Sequence, residues 1–194
     1  DLLPGLFHPT DGGTEVFKNR RAVVEIMREL VRVISRAYDF TILDIGQDFT
    51  APFHEVAIKE ADDVLVIVPP NITALIDTKF ALKSLREHFG GLGKFRLLIT
   101  GYDERFGLSE AEMQQELGLP IAATIPFEPV VATQAINTAT PYVLTDKGPL
   151  GQAMRGFAAG YFPPLAQKFK GVSAVQQKPK GAFGFVKGML VKDK

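Results

Sequence analysis

One carboxylate stands where many α/β proteins do their ligand chemistry. Asp44 nearly closes the run Tyr38-Asp39-Phe40-Thr41-Ile42-Leu43-Asp44-Ile45-Gly46. The run reads as a short buried strand that delivers Asp44 to the carboxyl end of a sheet. In open α/β sheets the loops leaving that edge form the ligand crevice. The local alternative is that Asp44 caps a turn or a helix start, which explains most Asp residues after strands. Thr100 closes another strand-like run, so one crevice is expected to be lined by Asp44, Pro69 and Thr100. Other chemistries find no residues. Cysteine is absent, which excludes disulfides and thiolate metal sites. His8, His54 and His88 are too few and too scattered to argue for zinc. No Ser-His-Asp set or carboxylate pair can be assembled.

Periodicity supplies the elements that would position these residues. From Asn19 to Ala37 the residues Val23, Ile26, Met27, Leu30, Val31 and Ile34 recur at helical spacing. Arg20, Arg21, Arg28 and Arg32 fall on the solvated side. Strand Thr41–Ile45 follows, then loop Gly46–Pro52 and a short helix over His54–Glu60. Asp63–Val68 leads into a continuous apolar run stopped by Pro69-Pro70, the pattern of a strand buried on both faces of a parallel sheet. Asn71 is placed to cap a helix reaching Phe89, presenting Ile72, Leu75, Ile76, Leu82 and Leu85 and broken by Gly90-Gly91. Phe95–Thr100 is the next buried strand, and Gly101–Leu108 an exposed loop.

Ser109 and Glu112 have capping-box spacing for a helix to Leu117. Ala122–Ile125 is a fourth strand, stopped by Pro126, and short helices follow near Val131–Asn137 and Pro149–Tyr161, the latter extending toward Phe169. Leu6-Phe7 reads as a strand end within a turn-rich start. Alternation at these lengths predicts a three-layer α/β/α fold with a mainly parallel sheet.

Composition bounds the function. The chain has 194 residues with 46% hydrophobic and 23% charged, which is globular rather than disordered. Its formal net charge is zero, so no global field favours nucleic acid, and no specific nucleic-acid partner is expected. No G-x-G-x-x-G follows a strand, which disfavours a flavodoxin-like or dinucleotide-binding domain. No apolar run is long enough to span a membrane. A domain over 1–170 is expected, followed by 171–194 as a Lys-rich linker and an amphipathic segment.

The order of motifs resembles the MinD/ParA group of deviant P-loop ATPases, especially the CpaE/TadZ-type proteins of Flp pilus assembly. The resemblance covers about residues 15–165. It rests on Tyr38–Asp44, on Ala61-Asp62-Asp63-Val64-Leu65-Val66-Ile67-Val68-Pro69-Pro70, and on Leu97-Leu98-Ile99-Thr100-Gly101-Tyr102. Leu117-Gly118-Leu119-Pro120-Ile121, Ile125-Pro126-Phe127-Glu128, and Ala135-Ile136-Asn137 with Pro141 complete it. The resemblance implies a P-loop NTPase-like fold of the MinD type and an ATP-bound dimer that cycles back to monomer. It makes Asp44 the Walker B carboxylate, which holds Mg²⁺ through water. It puts Asp48 in the loop facing the γ-phosphate and Thr100 where relatives carry an Asn that pairs with adenine. Pro126, Phe127 and Glu128 fall in the loop that packs beside the base. The implied ligands are ATP and Mg²⁺, and the implied partners are a second copy and proteins of a pilus or positioning system.

Two departures limit what the resemblance implies. No stretch has the form Gly-x-x-x-x-Gly-Lys-(Ser/Thr), so the backbone N–H groups and Lys that cradle phosphates are missing from these residues. Thr100-Gly101 replaces the Asn-Arg of relatives, giving one hydroxyl in place of an amide. The first residue is Asp, and the expectation is the C-terminal part of a longer ATPase, with the 194 residues inactive alone. A non-catalytic scaffold with the same fold is the alternative. At the far end, Ala182, Phe183, Phe185, Val186, Met189 and Leu190 fall on one helical side flanked by Lys187 and Lys192. This resembles the membrane-targeting helix that ends MinD. The expected location is therefore cytoplasmic and peripheral at the inner membrane, with 182–192 touching the lipid surface.

Overall fold

The computed structural model describes residues 19–47, 49 and 51–162. Leu6-Phe7, Asp48, the linker, the 182–192 helix and any extension toward Phe169 lie outside the described residues. The chain divides into two compact units, Asp1–Val64 and Leu65–Lys194.

In the first unit, α1 (Arg20–Ala37) and α2 (Pro52–Glu60) pack on each other. Asn19 caps α1 by accepting from the N–H groups of Arg21 and Ala22, and Pro52 opens α2, where its missing N–H costs nothing. Val23 and Val31 of α1 and Val56, Ala57 and Ile58 of α2 are buried. Ion pairs tie the helices at the surface. Glu55 accepts from Arg20 and Lys59, both at 2.6 Å, and these bonds, Lys59 foremost, hold its carboxyl below the usual range. Arg28 pairs with Glu25 and Glu60, and Arg32 with Glu29, so these arginines are engaged with carboxylates.

The expected strand Thr41–Ile45 is not one. Residues 40–46 run without regular structure and Ile42 is 83% exposed. A strand exists only where a neighbour takes its backbone hydrogen bonds, and the sheet formed by the described residues does not include Thr41–Ile45.

The second unit holds all but Val64 of a parallel sheet of β1 (Val64–Val68), β2 (Phe95–Tyr102) and β3 (Ile121–Pro126), in the order β1-β2-β3. Around it lie α3 (Ile72–Phe89), α4 (Glu110–Leu117), α5 (Pro129–Asn137), α6 (Tyr142–Thr145) and α7 (Pro149–Tyr161). Asn71 caps α3 by accepting from Ala74 N–H at 2.8 Å, and Gly90 ends it in the left-handed region. Ser109 and Glu112 form the expected capping box on α4. One face of the sheet carries Leu98 and Ile125, clustered with Leu150 of α7 and covered by Val131, Tyr142 and Phe157. Phe95, Leu97 and Ile99 alternate to the other face and are buried, with Leu82 and Leu85 of α3 and Met113 and Leu117 of α4 also buried. The three-layer α/β/α expectation is thus met.

Two details differ from the expectation. β1 is an edge strand among the described residues, and Ile67 is 64% exposed instead of buried on both sides. On α3 the buried stripe is Leu75, Leu82 and Leu85, while Ile72 and Ile76 are exposed.

Candidate functional site

The carboxyl edge of the sheet is built by close packing of the turns that leave it. β2 and β3 run in register with Leu98 opposite Ala123 and Thr100 opposite Ile125, then slip so that Tyr102 faces Pro126. Gly101 is the extra residue at that slip, at φ +69°, a bulge that a side-chain-bearing residue would strain. The bulge brings Tyr102 C=O to accept from Phe127 N–H at 2.8 Å, and the Phe127 ring lies against Gly101. Thr100, Pro126, Phe127 and Glu128 are therefore brought together at one edge. Thr100 is half-buried within the strand pair, and Phe127 is exposed.

Beside them lies a cleft of about 200 Å³. Its sheet-edge wall is Gly101, Pro126, Phe127 and Glu128, and its helical wall includes Tyr142 of α6 and Leu150 of α7. Apolar surface with a carboxylate at the rim suits a flat, largely apolar ring better than a charged group.

The loop after β2 is pre-formed. Arg105 donates to both carboxylate oxygens of Asp103, at 2.9 and 2.7 Å, and its backbone N–H to Oδ1 at 3.0 Å. The Arg105 guanidinium bonds, first among these, depress the Asp103 carboxyl to about 2. The same guanidinium sits over the Phe106 ring, 5.4 Å from its centre. Leu108 N–H donates to Pro70 C=O at 3.1 Å, tying this loop to the turn after β1.

Asp44 belongs to the first unit, where it is exposed and accepts a long bond, 3.4 Å, from Gly46 N–H. Gly46 is at φ +62°, so the local arrangement is an Asp-capped turn. An exposed carboxylate of this kind fits a water-mediated Mg²⁺ ligand. Asp48 lies outside the described residues. Among the described residues no group of three or more His, Cys, Asp or Glu comes together to hold a metal ion, and no helix is long and apolar enough to cross a membrane.

Sequence reasoning missed the support of the helical wall. Asp146 accepts from Gly148 N–H at 2.9 Å and Gly151 N–H at 2.7 Å, and these bonds, Gly148 foremost, hold its carboxyl below the usual range. The signal was present as Asp146-Lys147-Gly148-Pro149, an acidic cap ahead of a proline-opened helix.

No protein-family model matches the sequence. A curated protein of Emiliania huxleyi described as septum site-determining protein MinD is 27% identical over 128 residues, 63% of this chain and 46% of that protein. The chain thus spans about half the length of the curated relative it matches. Among solved structures, the MinD cell division protein of Aquifex aeolicus superposes with a TM-score of 0.61 at 22% identity, over 80% of this chain and 63% of that one. The septum site-determining protein MinD of Pyrococcus horikoshii, complexed with Mg-ADP, superposes with a TM-score of 0.58 at 20% identity, over 78% and 60%. With its parallel sheet and flanking helices, the chain has the MinD/ParA-type fold.

Proposed function

We propose that this chain supplies the base side and the metal carboxylate of a MinD/ParA-like ATP-binding protein that acts in spatial positioning or assembly. The observation that carries the reading is the joined edge of β2 and β3. There Thr100, Pro126, Phe127 and Glu128 converge through the Tyr102–Phe127 hydrogen bond beside an apolar cleft. Asp44 would hold Mg²⁺ through water, and Asp48 would face the γ-phosphate. The Mg-ADP of the Pyrococcus MinD complex supports nucleotide and Mg²⁺ as the ligand pair.

The 194 residues contain no phosphate-loop sequence, and backbone N–H groups at such a loop supply most of the anion-binding energy. On this reading turnover requires a phosphate cradle that these residues do not supply. With it, an ATP-bound homodimer that cycles to monomer and engages protein partners is the working cycle. The MinD relatives favour division-site or partition service, and the CpaE/TadZ-like motif order favours Flp pilus localisation. Membrane contact through 182–192 belongs to the same proposal.

The missing phosphate loop also supports a second reading, a scaffold with the same fold and no turnover. Calorimetry with Mg-ATP separates the two. Micromolar binding by a protein carrying the native sequence upstream of Asp1, and none by the 194 residues, supports the ATPase. No binding by either leaves the scaffold.

A further inference from the structure

The helical wall of the cleft hangs on one short element. Tyr142 lines the cleft and packs on the Leu98, Ile125 and Leu150 cluster, yet α6 has only four residues. A helix that short does not hold itself. Its entry is strained, since Ala139 before it sits at φ +49°. What holds α6 is α7. Arg155 Nη1 donates to Val143 C=O at 2.7 Å, inside α6. Asp146, just past α6, donates its N–H to Tyr142 C=O at 2.7 Å and binds the N–H groups of Gly148 and Gly151 through its carboxylate. Gly151 has no room for a side chain, because a β-carbon would collide with Asp146 C=O.

We propose that Arg155 and Asp146 are positioning residues that fix Tyr142 as the helical wall of this cleft and thereby set its fit for a purine base. The wall follows from geometry alone; the identity of the ring rests on the nucleotide reading above. Neither side chain is among those lining the cleft, so they act through Tyr142.

The test is an NMR titration of the full chain with adenosine, a probe without phosphates, in wild type, R155M, R155K and D146N, with Tyr142 resonances and thermal midpoints recorded for each. The expected result is a shift of Tyr142 resonances in R155M and D146N with β2 and β3 amides unmoved. Adenosine affinity should fall about tenfold in R155M, the loss of one charge-assisted hydrogen bond, and largely recover in R155K. Lower thermal midpoints with Tyr142 resonances and affinity unchanged would overturn the proposal. If wild type does not bind adenosine even at millimolar concentration, the purine assignment of this cleft fails while Tyr142 still decides positioning: moved resonances retain it, unmoved ones end it. If R155M does not fold, D146N and R155K decide by the same two readouts.

Discussion

Gly107 lies directly against the carbonyl oxygen of Pro70, at φ +97°, where a β-carbon would collide with that oxygen. The contact joins the loop after β2 to the turn after β1, beside the Leu108–Pro70 hydrogen bond. Gly107→Ala meets both a left-handed backbone and a backbone clash that no rotamer relieves. We expect a loss of about 2 kcal/mol or more in urea unfolding. Gly93→Ala, where nothing stands within 4 Å, serves as the control and should change stability by about 0.5 kcal/mol or less.

Ala139 offers the opposite case. Thr140 N–H reaches Ala135 C=O at 3.0 Å and Ala139 N–H reaches Ile136 C=O at 3.1 Å, which is a Schellman ending of α5 with alanine in the left-handed position. An L-residue there costs about 1–2 kcal/mol, partly offset by the greater freedom of glycine in the unfolded chain. Ala139→Gly should therefore stabilise by about 0.5–1 kcal/mol. A midpoint unchanged or lowered in thermal unfolding would show that the φ value is not strained.

What the sequence makes legible is what a few neighbouring residues decide. The Ser109–Glu112 capping box, the Asn71 cap and the proline stops need only one turn of chain, and they fall where the pattern puts them. β2 and β3 are legible because they are apolar and bounded by glycine and proline. Thr41–Ile45 fails as a strand because pairing is not a local property; its apolar content says nothing of a neighbour. At the site, Thr100 and Pro126–Glu128 lie at one edge of the sheet, but Gly101 is more than a replaced arginine. A lone glycine near a strand end signals a bulge, and that bulge sets the Phe127 contact. The Asp146 and Arg155 support joins residues up to twelve apart, and no periodicity shows it.

Asp103 gives a prediction in pH. Its carboxyl is lowered from 3.8 to about 2 by Arg105, so the folded state prefers the ionised form. The contribution is fully present above the unfolded value near 3.8 and is lost as pH falls through about 2. Carboxyl NMR of Asp103 should titrate near 2, and in Arg105→Gln it should move up toward the ordinary carboxylate range. An Asp103 titration near 3.8 in the wild type would mean the pair is not formed in solution.

Asp44 is where stability and proposed function part company. Its side chain is exposed and, among the described residues, accepts a long bond from Gly46 N–H, so Asp44→Asn removes a charge without emptying a core position. Stability should change by about 0.5 kcal/mol or less. A water-mediated Mg²⁺ ligand, by contrast, depends on the full negative charge, which an amide lacks. In a protein carrying the native sequence upstream of Asp1, we therefore expect Asp44→Asn to reduce Mg²⁺-dependent ATP turnover by at least about tenfold, roughly 1.4 kcal/mol of transition-state stabilisation. Steady-state phosphate release at several Mg²⁺ concentrations, beside urea unfolding of the same variant, separates the effects. Turnover equal to wild type at every Mg²⁺ concentration would remove Asp44 from the metal role and leave it as the cap of its turn.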